Sequence, residues 1–273
     1  MTLAIAFAND QLAFVATDNR VQMRPTLGVA ADGSALYGAV TRQDDAIGKL
    51  ELVGGGRGWL CTSGYLLGAD ALRPFQGSVA PWPYSIDMGG ARYQQRLARL
   101  ARRLSRQLDA PNPARPGGSL IGRTRLWVIG PRRRGYVLWH VDYGVGSAED
   151  RTGTMLHNYP GDWPGDDDEI GGLWVQAFRR SLPPGRAMIY EVIRRIGACF
   201  AHVVERLGPD GSVSDDVEIC LLSRPRRALW AERLPPSTPR VVAQSDDAII
   251  QDALEPYTVP AMWGHLHMKG ARA

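Results

Sequence analysis

A threonine at position 2, an aspartate at position 18 and a lysine at position 49 are the residues of this chain whose types fit one reaction. With Met1 removed, Thr2 carries a hydroxyl and a free amine on adjacent carbons, a nucleophile and its own base in one residue. An α-amine has a pKa of roughly 8, close enough to working pH to accept the hydroxyl proton. A lysine ammonium beside it would disfavour a second positive charge and lower that pKa. A carboxylate would hold the ammonium charged and in place. Lys49 is one of two lysines in 273 residues, the other being Lys269. The chemistry these groups support is attack on an amide carbonyl through an acyl-enzyme. Water would complete a hydrolysis and an amine a transpeptidation. Removal of Met1 is the only processing this requires, and threonine is small enough for methionine aminopeptidases. The apolar opening, residues 1–8, is too short for a membrane span and lacks the basic flank of a signal peptide.

The elements that must position these residues begin with a hairpin. Residues 2–8 and 12–17 are apolar runs separated by Asn9, Asp10 and Gln11, whose side chains favour a turn. A turn centred on Asp10 places Thr2 opposite Asp18, Ala4 opposite Ala16 and Ala6 opposite Phe14. One face would carry Leu3, Ile5, Phe7, Ala13 and Val15, the other Ala4, Ala6, Ala8, Leu12, Phe14 and Ala16. With both faces apolar, the sheet should be covered on both sides, and the alanines suggest a second sheet packed close. A second hairpin is expected at 26–31 and 34–40. Strands are expected at 46–53, which carries Lys49, and at 57–62, which ends in Ser63 and Gly64. A short helix follows at about 65–76. A long amphipathic helix is expected at 90–108, with Tyr93, Leu97, Leu100, Leu104 and Leu108 on one stripe. Residues 111–118 read as a loop. Strands at 123–130 and 135–142 flank an arginine-rich turn from Gly130 to Gly135. A polar, acidic stretch covers 144–172. Helices are expected at 172–181 and 184–207, a strand at 213–222, and short strands in a proline-rich tail from 224. Strands and helices in segregated runs, with a sheet covered on both faces, predict an α+β sandwich of two sheets between helix layers. No internal repeat or linker divides residues 1–273, so one domain is expected.

Composition fits a globular chain, with 44% hydrophobic and 22% charged residues. The formal charge of +4 is mild and reads as spread along the chain, against a dedicated nucleic-acid binder. Cys61, Cys199 and Cys220 have neither metal-ligand spacing nor an even framework, so buried free thiols in a cytoplasmic protein are expected. No window reaches membrane length. The arginines of the 90–108 helix read as a solvated face or a subunit contact before an RNA surface. Asp166, Asp167, Asp168 and Glu169 lack the spacing of an EF-hand loop, and His140, His157, His202, His265 and His267 show no zinc grouping. No metal and no cofactor are therefore expected. The tryptophans and tyrosines read as packing.

The segment TLAIAFANDQLAFVATDNR resembles the start of mature proteasome β-type subunits and their bacterial relatives, the N-terminal-nucleophile hydrolases. Their pattern is a threonine, an apolar strand, a turn, a second strand and Ala-x-Asp-x-Arg, here Ala16, Thr17, Asp18, Asn19 and Arg20. Lys49 resembles the family's catalytic lysine, and the backbone N–H of Gly64 its oxyanion donor. The resemblance implies a four-layer αββα sandwich, a threonine-type amide or peptide hydrolase and self-association, and it leaves an ATPase partner open. Its later serine–aspartate support is assigned to Asp210 and Ser214, near Ser212. Val21, Thr62 and Leu66, small or apolar, would line a substrate pocket for a peptide or protein. The interval from Asp18 to Lys49 is longer than the family's, by the 26–40 hairpin. Motif-level resemblance covers residues 2–75. The opening also resembles that of Connectase, a proteasome-related transpeptidase. Some proteasome-like folds serve instead as catalytically silent ring subunits.

Overall fold

The computed structural model describes residues 3–23, 25–29, 35–44, 49–53, 58–64, 87–109, 124–142, 145–160, 162–183, 186–214, 217–223, 228–234 and 240–243. The expected helix at 65–76 and loop at 111–118 lie outside them, as do Thr2, Leu66 and Lys269.

The apolar opening forms strands β1 (Ala4–Ala8) and β2 (Leu12–Asp18), which pair antiparallel. Their register is one residue off the expected one. Ala4 faces Thr17, Ile5 faces Ala16, and Phe7 faces Phe14. The reason is the turn. The Asn9 N–H donates to the Leu12 carbonyl at 2.8 Å, and Asn9 Oδ1 accepts from Gln11 N and Leu12 N at 2.8 and 2.9 Å. Asn9 and Leu12 thus close a two-residue loop of Asp10 and Gln11, with an Asx turn inside it. The slip regroups the faces. Leu3, Ile5, Leu12, Phe14 and Ala16 enter one core cluster, whereas Ala4, Ala6, Ala8, Ala13 and Val15 enter another.

Three short strands, β3 (Val21–Met23), β4 (Thr26–Val29) and β5 (Ala35–Tyr37), follow, then β6 (Arg42–Asp44). The pair β4–β5 is the expected second hairpin, and β3 pairs with β6. Strands β7 (Leu50–Val53) and β8 (Gly58–Gly64) pair antiparallel, so Lys49 stands just before β7. Helix α1 (Ala91–Asp109) buries Tyr93, Leu97, Ala101 and Leu104, one stripe at helical spacing. Strands β9 (Thr124–Arg132) and β10 (Gly135–Asp142) continue to a two-residue tip at Arg133 and Arg134, so Gly130 and Pro131 belong to the strand and not to the turn. Gly135 has φ +95°, and a Cβ there would stand 2.3 Å from the Asp10 Cα, so this tip rests on the β1–β2 turn.

The acidic stretch contains more structure than its composition predicts. It holds β11 (Ser147–Asp150), β12 (Leu156–Asn158) and the start of α2 (Asp167–Phe178). Asp166 caps α2 by accepting from the Glu169 N–H at 2.9 Å, and three further carboxylates occupy the first turn, where the helix dipole favours them. Helix α3 (Arg186–Leu207) ends at Gly208, φ +76°, whose N–H closes on the Val204 carbonyl. Strands β13 (Val217–Ser223), β14 (Ala228–Leu234) and β15 (Arg240–Ala243) complete the order.

The class is α+β, with antiparallel sheets. Of the two large ones, one has six strands in the order β12-β1-β2-β13-β14-β15 and the other five in the order β11-β10-β9-β8-β7, while β3–β6 and β4–β5 form two-stranded sheets. Ala4, Ala6, Ala8 and Ala13 of the first share a cluster with Leu50, Cys61, Trp127, Ile129 and Leu138 of the second, so the small side chains do let two sheets approach. The other face of the six-stranded sheet packs against α2 and α3, through Trp174, Val192, Ile196 and Phe200. The other face of the five-stranded sheet packs against α1.

Candidate active site

Strand directions gather Asp18, Lys49, Thr62 and Gly64 at one end of the two sheets. Leu3 precedes β1, Asp18 closes β2, and Asp18 pairs with Val217 at the start of β13. In the other sheet Leu50 pairs with Cys61, so Lys49 stands at the same end as Thr62 and Gly64. The hairpin tips at Asp10 and Arg133 mark the opposite end.

Asp18 is fully buried. Its Oδ1 accepts from the Leu3 N–H at 3.0 Å, the peptide nitrogen directly after Thr2. Its Oδ2 accepts from the Arg20 N–H at 3.0 Å and from Lys49 Nζ at 3.1 Å. Lys49, 2% exposed, also donates to the Arg20 carbonyl at 2.8 Å. Burial pushes the Asp18 carboxyl up and the Lys49 ammonium down, and their mutual attraction opposes both shifts. Glu218 adds a negative charge near the lysine, and its Oε2 accepts from the Leu50 N–H at 3.4 Å.

Arg20 links this pair to the loop after α3. Its Nη1 donates to the Gly211 carbonyl at 2.7 Å and to the Pro209 carbonyl at 3.1 Å. The next residue, Ser212, is gripped by Asp162, whose carboxylate accepts from the Ser212 N–H at 2.7 Å and from its hydroxyl. Of the predicted support residues, Ser214 is buried in this loop and Asp210 is exposed in the turn. Among the described residues Asp162 is a carboxylate that meets Ser212, and the sequence reading did not name it. It also missed Glu218, although an acid inside the apolar run VEICLL is a signal in itself.

Val21 lies half-buried in β3, paired with Asp44. Thr62 and Gly64 pair with Leu126 and Thr124 along β8. The expectation that placed the Thr2 side chain against Asp18 rested on the register now replaced. Leu3 takes that place instead, since Leu3 and Asp18 exchange hydrogen bonds, Asp18 N donating to the Leu3 carbonyl at 3.3 Å. Asn19, beside the pair, is buried, and its Oδ1 has no partner among the described residues.

Among the described residues no three His, Cys, Asp or Glu side chains group as metal ligands, and no helix is long and apolar enough to cross a membrane. Asp166, Asp167, Asp168 and Glu169 are instead the cap and first turn of α2. Neither a protein-family model nor a curated protein matches the chain.

Proposed function

We propose that this chain is an N-terminal threonine amide or peptide hydrolase, acting through an acyl-enzyme on Thr2 once Met1 is removed. One observation carries the reading. The buried Asp18–Lys49 pair is anchored on the N–H of Leu3, one peptide bond from the proposed nucleophile. A buried ion pair with no chemical task is a poor stabiliser, because the desolvation of two charges offsets their attraction. The two charges are therefore assigned a task at the residue they adjoin.

In this mechanism Thr2 Oγ attacks the carbonyl carbon and its proton passes to the α-amine, directly or through water. The nearby ammonium of Lys49 holds the amine's pKa below its ordinary value, so the amine is free to accept. The Gly64 N–H stabilises the oxyanion, a contribution on the order of 10²–10³ in rate. The amine then protonates the leaving nitrogen, and the C–N bond breaks to leave an ester on Thr2. Water attacks that ester, the amine takes its proton, and Thr2 and a carboxylic acid are released. Asp18 keeps Lys49 charged and fixes the backbone after Thr2.

The reading includes membership of the proteasome-like N-terminal-nucleophile hydrolases, with a four-layer αββα arrangement. The three core clusters support that arrangement, one between the sheets and one under the helices of each outer face. Substrate would be a peptide or protein.

Intact mass spectrometry before and after a β-lactone or epoxyketone tests the proposal. The expected result is a protein without Met1 that gains one adduct, with no adduct on Thr2→Ala. A mature chain that keeps Met1, or a Thr2→Ala variant with full amidase activity, would sink it.

A further inference from the structure

We propose that the arginine face of α1 docks on the acidic end of α2 and α3 in a second copy of this chain, head to tail. The proposal is independent of the chemistry at Thr2.

The first observation is where the charge sits. Helix α1 holds six arginines and one aspartate, a formal +5 against +4 for the whole chain, so the remainder sums to −1. Six further arginines lie between 115 and 134 with no acid among them, so α1 is one basic cluster of a charge spread along the chain. Arg92, Arg96, Arg99, Arg103 and Arg106 recur every three or four residues, which aligns them on one side of the helix. Four of the five are exposed. From Arg92 to Arg106 the row is about 21 Å long.

The second observation is a surface of opposite sign on the same chain. Asp166, Asp167, Asp168 and Glu169 are exposed at the start of α2, and Glu205 and Asp210 are exposed around the end of α3. The Arg206–Glu169 ion pair ties these two helix ends into one patch. Arg206 meets the patch from within, Arg20 reaches the carbonyls on either side of Asp210, and the His157 imidazole lies 3.1 Å from Asp167. The other carboxylates keep the patch negative.

The two surfaces cannot meet within one molecule. Helix α1 packs on the outer face of the five-stranded sheet and α2 on the outer face of the six-stranded sheet, with the sheet-to-sheet core between them. Their complement is therefore another copy, and the contact is heterologous, with one surface of each copy used once. Arginine suits it, since the guanidinium fork pairs with carboxylates in a fixed geometry. A single-stranded nucleic acid is the competing occupant. Such ligands call for aromatic platforms beside the basic row, and Tyr93, the aromatic residue of α1, is buried.

Sedimentation velocity before and after nuclease treatment, at about 0.1 M and about 1 M NaCl, tests the contact, since screening falls from a Debye length of about 10 Å to about 3 Å. The wild-type chain should associate at the lower salt and weaken at least about tenfold at the higher. Arg99→Glu/Arg103→Glu/Arg106→Glu and Asp168→Arg/Glu205→Arg should each sediment as monomers, with far-UV circular dichroism unchanged. An equal mixture of the two variants should associate, because each supplies the surface the other lost. A wild-type monomer at low salt, variants that associate like wild type, a mixture that stays monomeric, or association abolished by the nuclease would each overturn the proposal. The last outcome would assign the arginine row to nucleic acid.

Discussion

Asp18 accepts from Leu3, Arg20 and Lys49, and Lys49 donates to Asp18 and to the Arg20 carbonyl, all in a buried corner. Removing one partner strands the other charge. Lys49→Met should therefore cost about 3–5 kcal/mol of unfolding free energy in a urea titration. Asp18→Asn/Lys49→Met removes both charges together and should cost much less than the two single changes combined. A full additive loss would mean that the two residues do not act as a pair. Under the proposed mechanism both single variants also lose amidase activity. The wild-type kcat/KM on a fluorogenic peptide should rise with pH through an apparent pKa below the roughly 8 of an ordinary α-amine. A profile centred at or above that value would remove Lys49 from the role assigned to it.

At the scale of elements, α3 carries a test of pH dependence that is separate from the site. The Glu191 carboxylate accepts from Arg194 at 2.6 and 2.9 Å and from Arg195 at 2.7 Å, which holds its pKa down to about 2. A depressed carboxyl pKa adds stability above the unfolded value of 4.5, and that stability is lost as pH falls from there towards about 2. Glu191→Gln should thus lower the Tm near neutral pH and match wild type at the acid end of this window. At the hairpin tips, Gly135→Ala forces a Cβ onto the Asp10 backbone at a positive φ, and should cost more than about 1 kcal/mol by chemical denaturation. The hairpins and α1 were legible in the sequence because turn residues and a repeat of Tyr93, Leu97 and Leu104 mark them directly. The register of β1 and β2 was not. It depends on whether Asn9 enters the loop or closes it, and only the hydrogen bonds of its side chain decide that. The start of α2 was missed because acidic residues without apolar spacing read as loop, whereas here they serve as cap and first turn.

For the molecule as a whole, the alanines of β1 and β2 set the distance between the two large sheets. That was legible, since a strand with small residues on one face and large ones on the other has few alternatives to a close-packed neighbour. The joining of Asp162 to Ser212 and of Glu218 to the Leu50 backbone was not legible, because each links residues that only the completed topology brings together. Ala6→Leu would insert three carbons where the sheets meet and should cost about 1–3 kcal/mol in urea, whereas Leu27→Ser, at a residue 72% exposed, should stay within about 0.5 kcal/mol.

The three cysteine thiols of the chain divide between these packed regions. Cys61 and Cys220 lie between the sheets, and Cys199 lies under the helices, where burial pushes its thiol up to about 12. A maleimide offered to the native protein meets no reachable thiolate. As denaturant rises, the sequence in which the three become alkylated then reports which seam parts first. A layered protein would in this way record its own order of opening in covalent marks that peptide mapping can read.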